Sequence, residues 1–187
     1  GTAEYLDVLC RTAGGTFRLL GVWRGSELVG GLPLYERSTR VGVHVGPRLL
    51  LYYLGPILRR FESKYPSQNT ARTVEVLGAL ADEVERQSFA KVILKGRHTV
   101  NDVRPFVSRG WHAWPSYSYV VRIDDLPGQW QRVEQNLRRL VDRCTNDGVT
   151  VTDDDRFDEF LAMHVQTMDR YGAELYLPPD RFRRWFE

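Results

Sequence analysis

An aromatic segment, YYLGP at residues 52–56, combines groups that are suited to ligand binding. The Tyr53 phenol places a polar group on a large apolar ring, a combination that is common in binding pockets. Gly55-Pro56 must bend or end a strand, because proline has no N–H to donate to a neighbouring strand. The backbone beside this bend is therefore open to a ligand. The alternative is an ordinary strand end with aromatic residues in the core.

Basic residues directly follow an apolar run at residues 91–94 that predicts a buried strand. They are Lys95, Arg97 and His98, and strand ends in α/β sheets often face ligands. Lys95 is therefore a candidate substrate-binding residue. An ordinary surface turn would explain the same residues equally well.

Arginines recur further along the chain, on a predicted helix at residues 127–146. Arg139 and Arg143 are four residues apart and so share one helix face. A guanidinium binds phosphate or carboxylate through two parallel hydrogen bonds. Arg170, at the end of a later predicted helix, is a further candidate for binding an anion. The alternative for each is a solvated basic face or compensation of a helix C-terminus.

The aromatic segment and the later arginines together predict a cleft that binds an anionic substrate. Tyr53 with Gly55-Pro56 should line one side, and Arg139, Arg143 or Arg170 should supply positive charge on the other. No catalytic residue is assigned. Cys144 has no base beside it in the sequence, and His164 lies on an apolar helix face, where a core histidine is expected.

Composition excludes several classes of protein. The chain has 187 residues with a net charge of +2, which gives no electrostatic case for DNA binding. No apolar run reaches the roughly 18–20 residues of a membrane helix. Cys10 and Cys144 are isolated, so neither a disulfide framework nor a zinc site is expected, and a cytoplasmic location fits best.

The periodicity of apolar residues predicts alternating strands and helices. A hairpin is expected from strands at residues 17–23 and 28–35, joined by a turn at Gly25. The remaining predicted strands lie at residues 49–58, 91–94, 117–123 and 149–152, and the remaining helices at residues 69–87, 101–109, 127–146, 157–171 and from 178 onward. This order predicts an α/β fold in which helices cover a mixed sheet.

Four stretches of the sequence together resemble the FemAB branch of the GNAT superfamily, which includes peptidoglycan aminoacyltransferases and BioF2-like acetyltransferase domains. They are LGVWRGSELVGGLPLYER at residues 20–37, YYLGPIL at 52–58, KVILKGR with the later FVSRGW at 91–111, and NLRRLVDRCTNDGVTV with FLAMHVQTMDRYG at 136–172. Each stretch is weak alone, and their order and spacing carry the resemblance. Lys95-Gly96 stands where aminoacyltransferase members commonly carry Asp-Pro.

The resemblance implies a GNAT-like mixed sheet flanked by helices, repeated in two tandem domains. Residues 1–125 would form the first domain, and residues 126–187 would supply the basic helix and the start of a second, truncated one. It also implies an acyl- or aminoacyltransferase that acylates an amine, such as a cell-wall precursor. Because the second domain would be incomplete, we expect this chain alone to be inactive.

The resemblance leaves the acyl donor open between aminoacyl-tRNA and acyl-CoA. The acceptor would be a small-molecule or lipid-linked substrate. The Gly-rich pyrophosphate turn of CoA-dependent enzymes is not found in the sequence. A CoA-dependent N-acetyltransferase of the same fold and a non-catalytic binding or assembly domain remain as alternatives.

Overall fold

A computed structural model describes residues 3–48 and 50–186, apart from the side chain of Ala3. The chain divides into two compact units. The first comprises the residues up to Ala113 together with those from Leu161 onward, and the second is Trp114–Phe160. The boundary at Phe160 falls inside a helix.

The first unit is built on a β-hairpin. β1 (Thr16–Arg24) pairs antiparallel with β2 (Glu27–Thr39) through nine residue pairs, with a bulge after Val22. Gly25 in the connecting turn has φ +62°, a conformation that glycine adopts without steric cost. The hairpin predicted from the sequence is therefore confirmed.

Three short strands extend the sheet. β3 (Gly42–Val45) pairs antiparallel with one end of β2, and β4 (Ile57–Leu58) pairs antiparallel with Gly30 and Gly31 near its other end. β5 (Lys91–Val92) then pairs with β3 in parallel. The sheet is mixed, as the sequence predicted, because it contains both kinds of pairing.

Helices flank this sheet on both faces. Side chains alternate along a strand, so Gly30 and Tyr35 of β2 face opposite sides. A Cβ at Gly30 would lie 2.5 Å from Val76 of α2 (Pro66–Arg86). The Tyr35 hydroxyl donates a hydrogen bond to the carbonyl of Gly14, just after α1 (Ala3–Ala13). The α/β fold class, a mixed sheet flanked by helices, is thus confirmed.

The core of the first unit lies between these layers. Its fully buried side chains are mostly leucines of α1, β2 and α2, and the largest of them are Leu9, Leu32, Leu34, Tyr35, Leu54, Leu77 and Leu80. A smaller cluster, Leu77, Ala81 and Phe106, joins α2 to the short α3 (Arg104–Val107). α6 (Phe157–Arg170) and α7 (Pro179–Phe186) follow later in the chain. Trp185 of α7 packs edge-on against Tyr5 of α1.

Helix boundaries differ modestly from those predicted. α2 begins at Pro66, several residues before the predicted cap at residue 69 or 70, because proline is favoured in the first helical turn, where its missing N–H has no role. α1 was not predicted, although its acidic first turn and its basic last turn match the helix dipole.

Four predicted strands are wrong in whole or part. Residues 117–123 and 149–152 are described by the structure and form no strand. Of the strand predicted at residues 49–58, Leu49 lies outside the described residues, and the rest forms only β4 and two isolated bridges. The strand predicted to be buried at residues 91–94 is shortened to β5, where Lys91 is exposed, and Ile93 after it is 46% exposed.

The apolar sequence of residues 117–123 favours a strand, but no strand in the described part of the chain pairs with it. Tyr119, for example, is 99% exposed.

The second unit contains α4 (Leu126–Arg132) and α5 (Gln135–Asn146). The single helix predicted at residues 127–146 is therefore wrong. Val133 and Glu134 have extended ψ angles of 134° and 137°, which interrupt the helix between α4 and α5. Asp125 caps α4 by accepting a hydrogen bond from the Gly128 N–H at 3.0 Å. The assignment of residues 1–125 and 126–187 to two GNAT-like domains remains a prediction.

Candidate functional site

The candidate site of the first unit lies where the chain runs past the end of β5. There the backbone leaves β3 and pairs with Leu54 instead. The Leu54 N–H donates to the Lys95 carbonyl at 3.0 Å, and the Lys95 N–H donates to the Leu54 carbonyl at 2.7 Å. This antiparallel bridge brings together the two segments that the sequence singled out, YYLGP at residues 52–56 and KGR at 95–97.

Two glycines allow the segments to approach closely. A Cβ added at Gly55 would lie 2.7 Å from the Cα of Gly96 and 2.9 Å from its N. No real Cβ contact is that short, so the bridge in its present form requires glycine at position 55. Pro56 beside it is buried, as is Leu54.

Aromatic rings hold the basic side chains of the site. The Lys95 Nζ lies 3.3 Å from the ring centroid of Tyr52, and the Arg97 Cζ lies 5.5 Å from that of Tyr53. The two tyrosines contact each other edge to face, with centroids 4.9 Å apart. These are cation–π contacts, which favour a positive charge over the ring face.

The site is accessible from solvent. Tyr52 is 62% exposed and Tyr53 is 45% exposed. Lys95 is half-buried and Arg97 is exposed. A ligand can therefore reach both rings and both cations without any rearrangement of the core.

Neither cation of the site forms an ion pair with any residue that the structure describes. Arginines elsewhere in the same unit do: Arg59 pairs with Glu27, Arg104 with Asp102 at 2.6 Å and Arg109 with Asp82 at 2.6 Å. The positive charges of Lys95 and Arg97 are thus not neutralised by a direct contact with a described carboxylate.

The structure brings together four of the predicted substrate-binding residues, namely Tyr53, Gly55, Pro56 and Lys95. Arg139 and Arg143 lie one turn apart on α5, in the second unit, and are exposed. Arg170 is the last residue of α6, where it is exposed and lies 3.4 Å from the Thr167 hydroxyl, to which it donates. A cleft that joins these arginines to Tyr53 remains a prediction.

The contacts of Tyr52 with Lys95 and of Tyr53 with Arg97 were not predicted from the sequence. The two tyrosines lie near the end of one predicted strand, and the two basic residues directly follow another, so each half of the site was visible by itself. What the sequence lacked was the register, which the Leu54–Lys95 bridge supplies.

The other candidates show no reactive arrangement. His164 is half-buried, with its ring centroid 5.6 Å from that of Phe182, so it lies at the margin of the core and not inside it. Among the described residues, no group of three or more His, Cys, Asp or Glu side chains could hold a metal ion. Within the same residues, no helix is both long and apolar enough to cross a membrane.

No protein-family model matches the sequence, and no curated protein is significantly similar to it. Among solved structures, the chain is similar to a ribosomal-protein-alanine N-acetyltransferase from Brucella melitensis biovar Abortus 2308. The identity is 21%, the alignment covers 57% of this chain and 73% of that chain, and the TM-score is 0.31. At this score the likeness carries no argument about activity, so the resemblance to FemAB-like GNAT proteins still rests on the motifs in the sequence.

Proposed function

We propose that this chain belongs to an acyltransferase that transfers an acyl or aminoacyl group to an amine, and that the transfer occurs beside residues 52–56 and 95–97. One observation carries the proposal. The two segments that resemble FemAB-like motifs lie about 40 residues apart in the sequence and meet at one backbone bridge, beside the exposed rings of Tyr52 and Tyr53. Residues that bind one substrate must lie close together, so the meeting of these two segments supports a shared binding site.

Acyl transfer to an amine requires few catalytic side chains. The amine nitrogen attacks the acyl carbonyl, a C–N bond forms, the bond to the donor breaks, and the proton of the amine passes to a base. Holding the two reactants in line supplies much of the rate. Positive charge near the carbonyl oxygen stabilises the negative charge that develops there. No residue is assigned to this second role. Lys95 and Arg97 lie beside the bridge and fit a different one, which is to hold an anionic group of a substrate in place.

The donor in this proposal is an aminoacyl-tRNA or an acyl-CoA, and the acceptor is an amine on a cell-wall precursor or a related envelope substrate. The support is the resemblance of the four sequence motifs, which covers most of the chain. Exposure of Tyr52 and Tyr53 favours an enzyme over a non-catalytic assembly domain, because a domain that had lost its ligand would be expected to fill this site with apolar side chains.

The test is an acyl-transfer assay with the longest natural form of the protein, read by mass spectrometry of the acceptor. Panels of aminoacyl-tRNAs and acyl-CoAs would be offered with peptide and lipid-linked amines. We expect transfer from one donor class, and a loss of at least tenfold in kcat/KM in Lys95→Met. Lys91→Met is the matched control, because Lys91 is exposed on β5, away from the tyrosine rings.

Absence of transfer from both donor classes to any amine, by a protein shown to be folded, would contradict the proposal. Equal activity of the parent and Lys95→Met would leave the reaction in place but remove Lys95 from it.

A further inference from the structure

We infer that Lys95 and Arg97 form an oxyanion-binding site, positioned by Tyr52 and Tyr53, which receives a phosphate or carboxylate group of the substrate. The inference concerns the site of the proposed function and rests on that function for its biological meaning. Binding of an oxyanion can nevertheless be measured without any acyl transfer, so the two can fail independently.

The two cations are held by aromatic rings and not by carboxylates. A carboxylate would fix a lysine in place but would also cancel its charge. An aromatic ring fixes the cation through its quadrupole and carries no net charge. The Lys95 Nζ, 3.3 Å from the Tyr52 centroid, is therefore positioned while its charge stays available. The same holds, at a longer 5.5 Å, for Arg97 over Tyr53.

Several other arginines of the first unit lie against carboxylates, for example Arg18 against Glu36 at 2.6 Å. Two adjacent cations without acidic partners repel each other, which costs stability. An arrangement of this kind is expected where a ligand supplies the missing negative charge.

Lys95 and Arg97 contact two rings that touch each other, with centroids 4.9 Å apart, and Gly96 between the two cations adds no side chain. Arg97 can donate two parallel hydrogen bonds to a planar or tetrahedral oxyanion, while Lys95 acts as a flexible point charge. Phosphate and carboxylate share this chemistry, and a doubly charged phosphate should bind more tightly.

The experiment titrates the protein with inorganic phosphate and, in a second arm, with acetate at constant ionic strength. Binding is read from chemical-shift changes at the Gly96 amide and the Tyr52 ring by NMR. We expect saturable binding of at least one probe, and the tighter probe identifies the source of the oxyanion. Lys95→Met and Arg97→Met each remove a charge-assisted hydrogen bond, whose loss costs about 1.5–3 kcal/mol. Each variant should therefore bind the probe roughly tenfold to a hundredfold more weakly.

Tyr52 is a positioning residue in this proposal and has its own test. Tyr52→Phe keeps the ring face and should bind phosphate as the parent does. Tyr52→Leu removes the ring and should bind it several-fold more weakly. Lys91→Met serves as the control for general loss of positive charge and should leave binding unchanged.

Three results would overturn the inference. The first is binding that is equally strong in the parent, Lys95→Met and Arg97→Met. The second is weakening by Lys91→Met as large as that by Lys95→Met. The third is saturation of neither probe in the folded parent. A protein that binds phosphate as expected and shows no transfer would retain the oxyanion site and lose the proposed function.

Discussion

The Cα of Gly96 lies 2.7 Å from the point where a side chain at Gly55 would begin. The distance is set by the bridge between Leu54 and Lys95, whose two hydrogen bonds measure 3.0 and 2.7 Å. Glycine at position 55 is therefore part of the construction of the candidate site. The contact ties the aromatic segment to the basic one.

Gly55→Ala should separate these two segments. The methyl group would meet backbone atoms that cannot rotate away, so the bridge must lengthen or break. Overpacking of this kind costs about 1–3 kcal/mol in free energy of unfolding. Urea denaturation measures that cost, and the cation–π contacts of Tyr52 and Tyr53 should weaken with it.

Gly78→Ala is the matched control for this substitution. Gly78 lies within α2, and a Cβ there would meet only Arg109 Nη2, at an ordinary 3.6 Å. Alanine in a helix interior is favoured over glycine by about 0.5–1 kcal/mol. Gly78→Ala should thus stabilise the protein. If Gly55→Ala were equally harmless, the close approach at Gly96 would be wrong.

The buried Tyr35 phenol predicts a loss of stability at alkaline pH. Burial raises the pKa of Tyr35, an effect that the nearby Arg48 partly opposes. A group whose pKa is raised by folding contributes stability below its unfolded pKa, about 10, and loses it as the pH rises through the folded pKa. The parent should therefore lose stability relative to Tyr35→Phe as the pH rises above about 10.

At neutral pH the parent should be more stable than Tyr35→Phe. Tyr35→Phe removes the hydrogen bond to the Gly14 carbonyl and should cost about 1 kcal/mol. Guanidinium unfolding of both proteins between pH 7 and 11 tests the two statements together. A difference in stability that stays constant across this range would show that Tyr35 does not titrate as proposed.

The Asp102–Arg104 pair predicts that the stability of the fold decreases at acidic pH. The hydrogen bond from the Arg104 side chain lowers the pKa of Asp102 below its ordinary value of 3.8. Asp102 also accepts from the Arg104 N–H, at 3.2 Å, before α3. The contribution of the carboxylate is present above the unfolded pKa and is lost as the pH falls through the folded one.

Asp102→Asn should accordingly be less stable than the parent at pH 7, and the difference should shrink as the pH falls below about 3.8. Thermal unfolding at several pH values measures the difference. Asp82→Asn removes another acidic partner of an arginine and shows whether the effect is special to Asp102. A difference between parent and Asp102→Asn that does not shrink in acid would contradict the assignment.

The arginines of α5 and α6 give a fourth prediction. If Arg143 and Arg170 contribute to a substrate site, replacing each by alanine should weaken binding of a nucleotide- or lipid-linked acceptor by roughly tenfold to a hundredfold. Calorimetry on the longest natural form of the protein tests this, with circular dichroism to confirm folding. Arg132→Ala, an exposed residue of α4, is the control.

Unchanged binding in both variants would assign these arginines to a solvated face. Because the oxyanion site consists of Lys95 and Arg97 and is tested with its own variants, that outcome would leave it unaffected.

Local signals in the sequence were sufficient for the hairpin and for most helices. Gly25-Ser26 between two apolar runs indicates a turn. The spacing of Leu77, Leu80, Ala81 and Val84 indicates the buried face of α2, to which the structure adds Val76 in place of the expected Val74. Both depend on residues close together in the chain, so periodicity finds them.

Long-range pairing was harder to predict. Residues 117–123 have a strand-forming composition, yet a strand needs a partner, and composition does not say whether one is present. The candidate site was half predicted for the same reason. Tyr53 and Lys95 were each identified, while the contact of Lys95 with Tyr52 depends on a register that only the structure supplies.

The segment that carries Tyr52 and Tyr53 is attached to the sheet through short strands, so its sequence can change during evolution while the hairpin is kept. The hairpin register is held by nine pairs between β1 and β2, whereas β3 and β4 contact β2 through only a few residues near its two ends. Residues 46–56 run between those two short strands. Substitutions there can remodel Tyr52 and Tyr53 without shifting the hairpin, so ligand preference can diverge among descendants that keep the same scaffold.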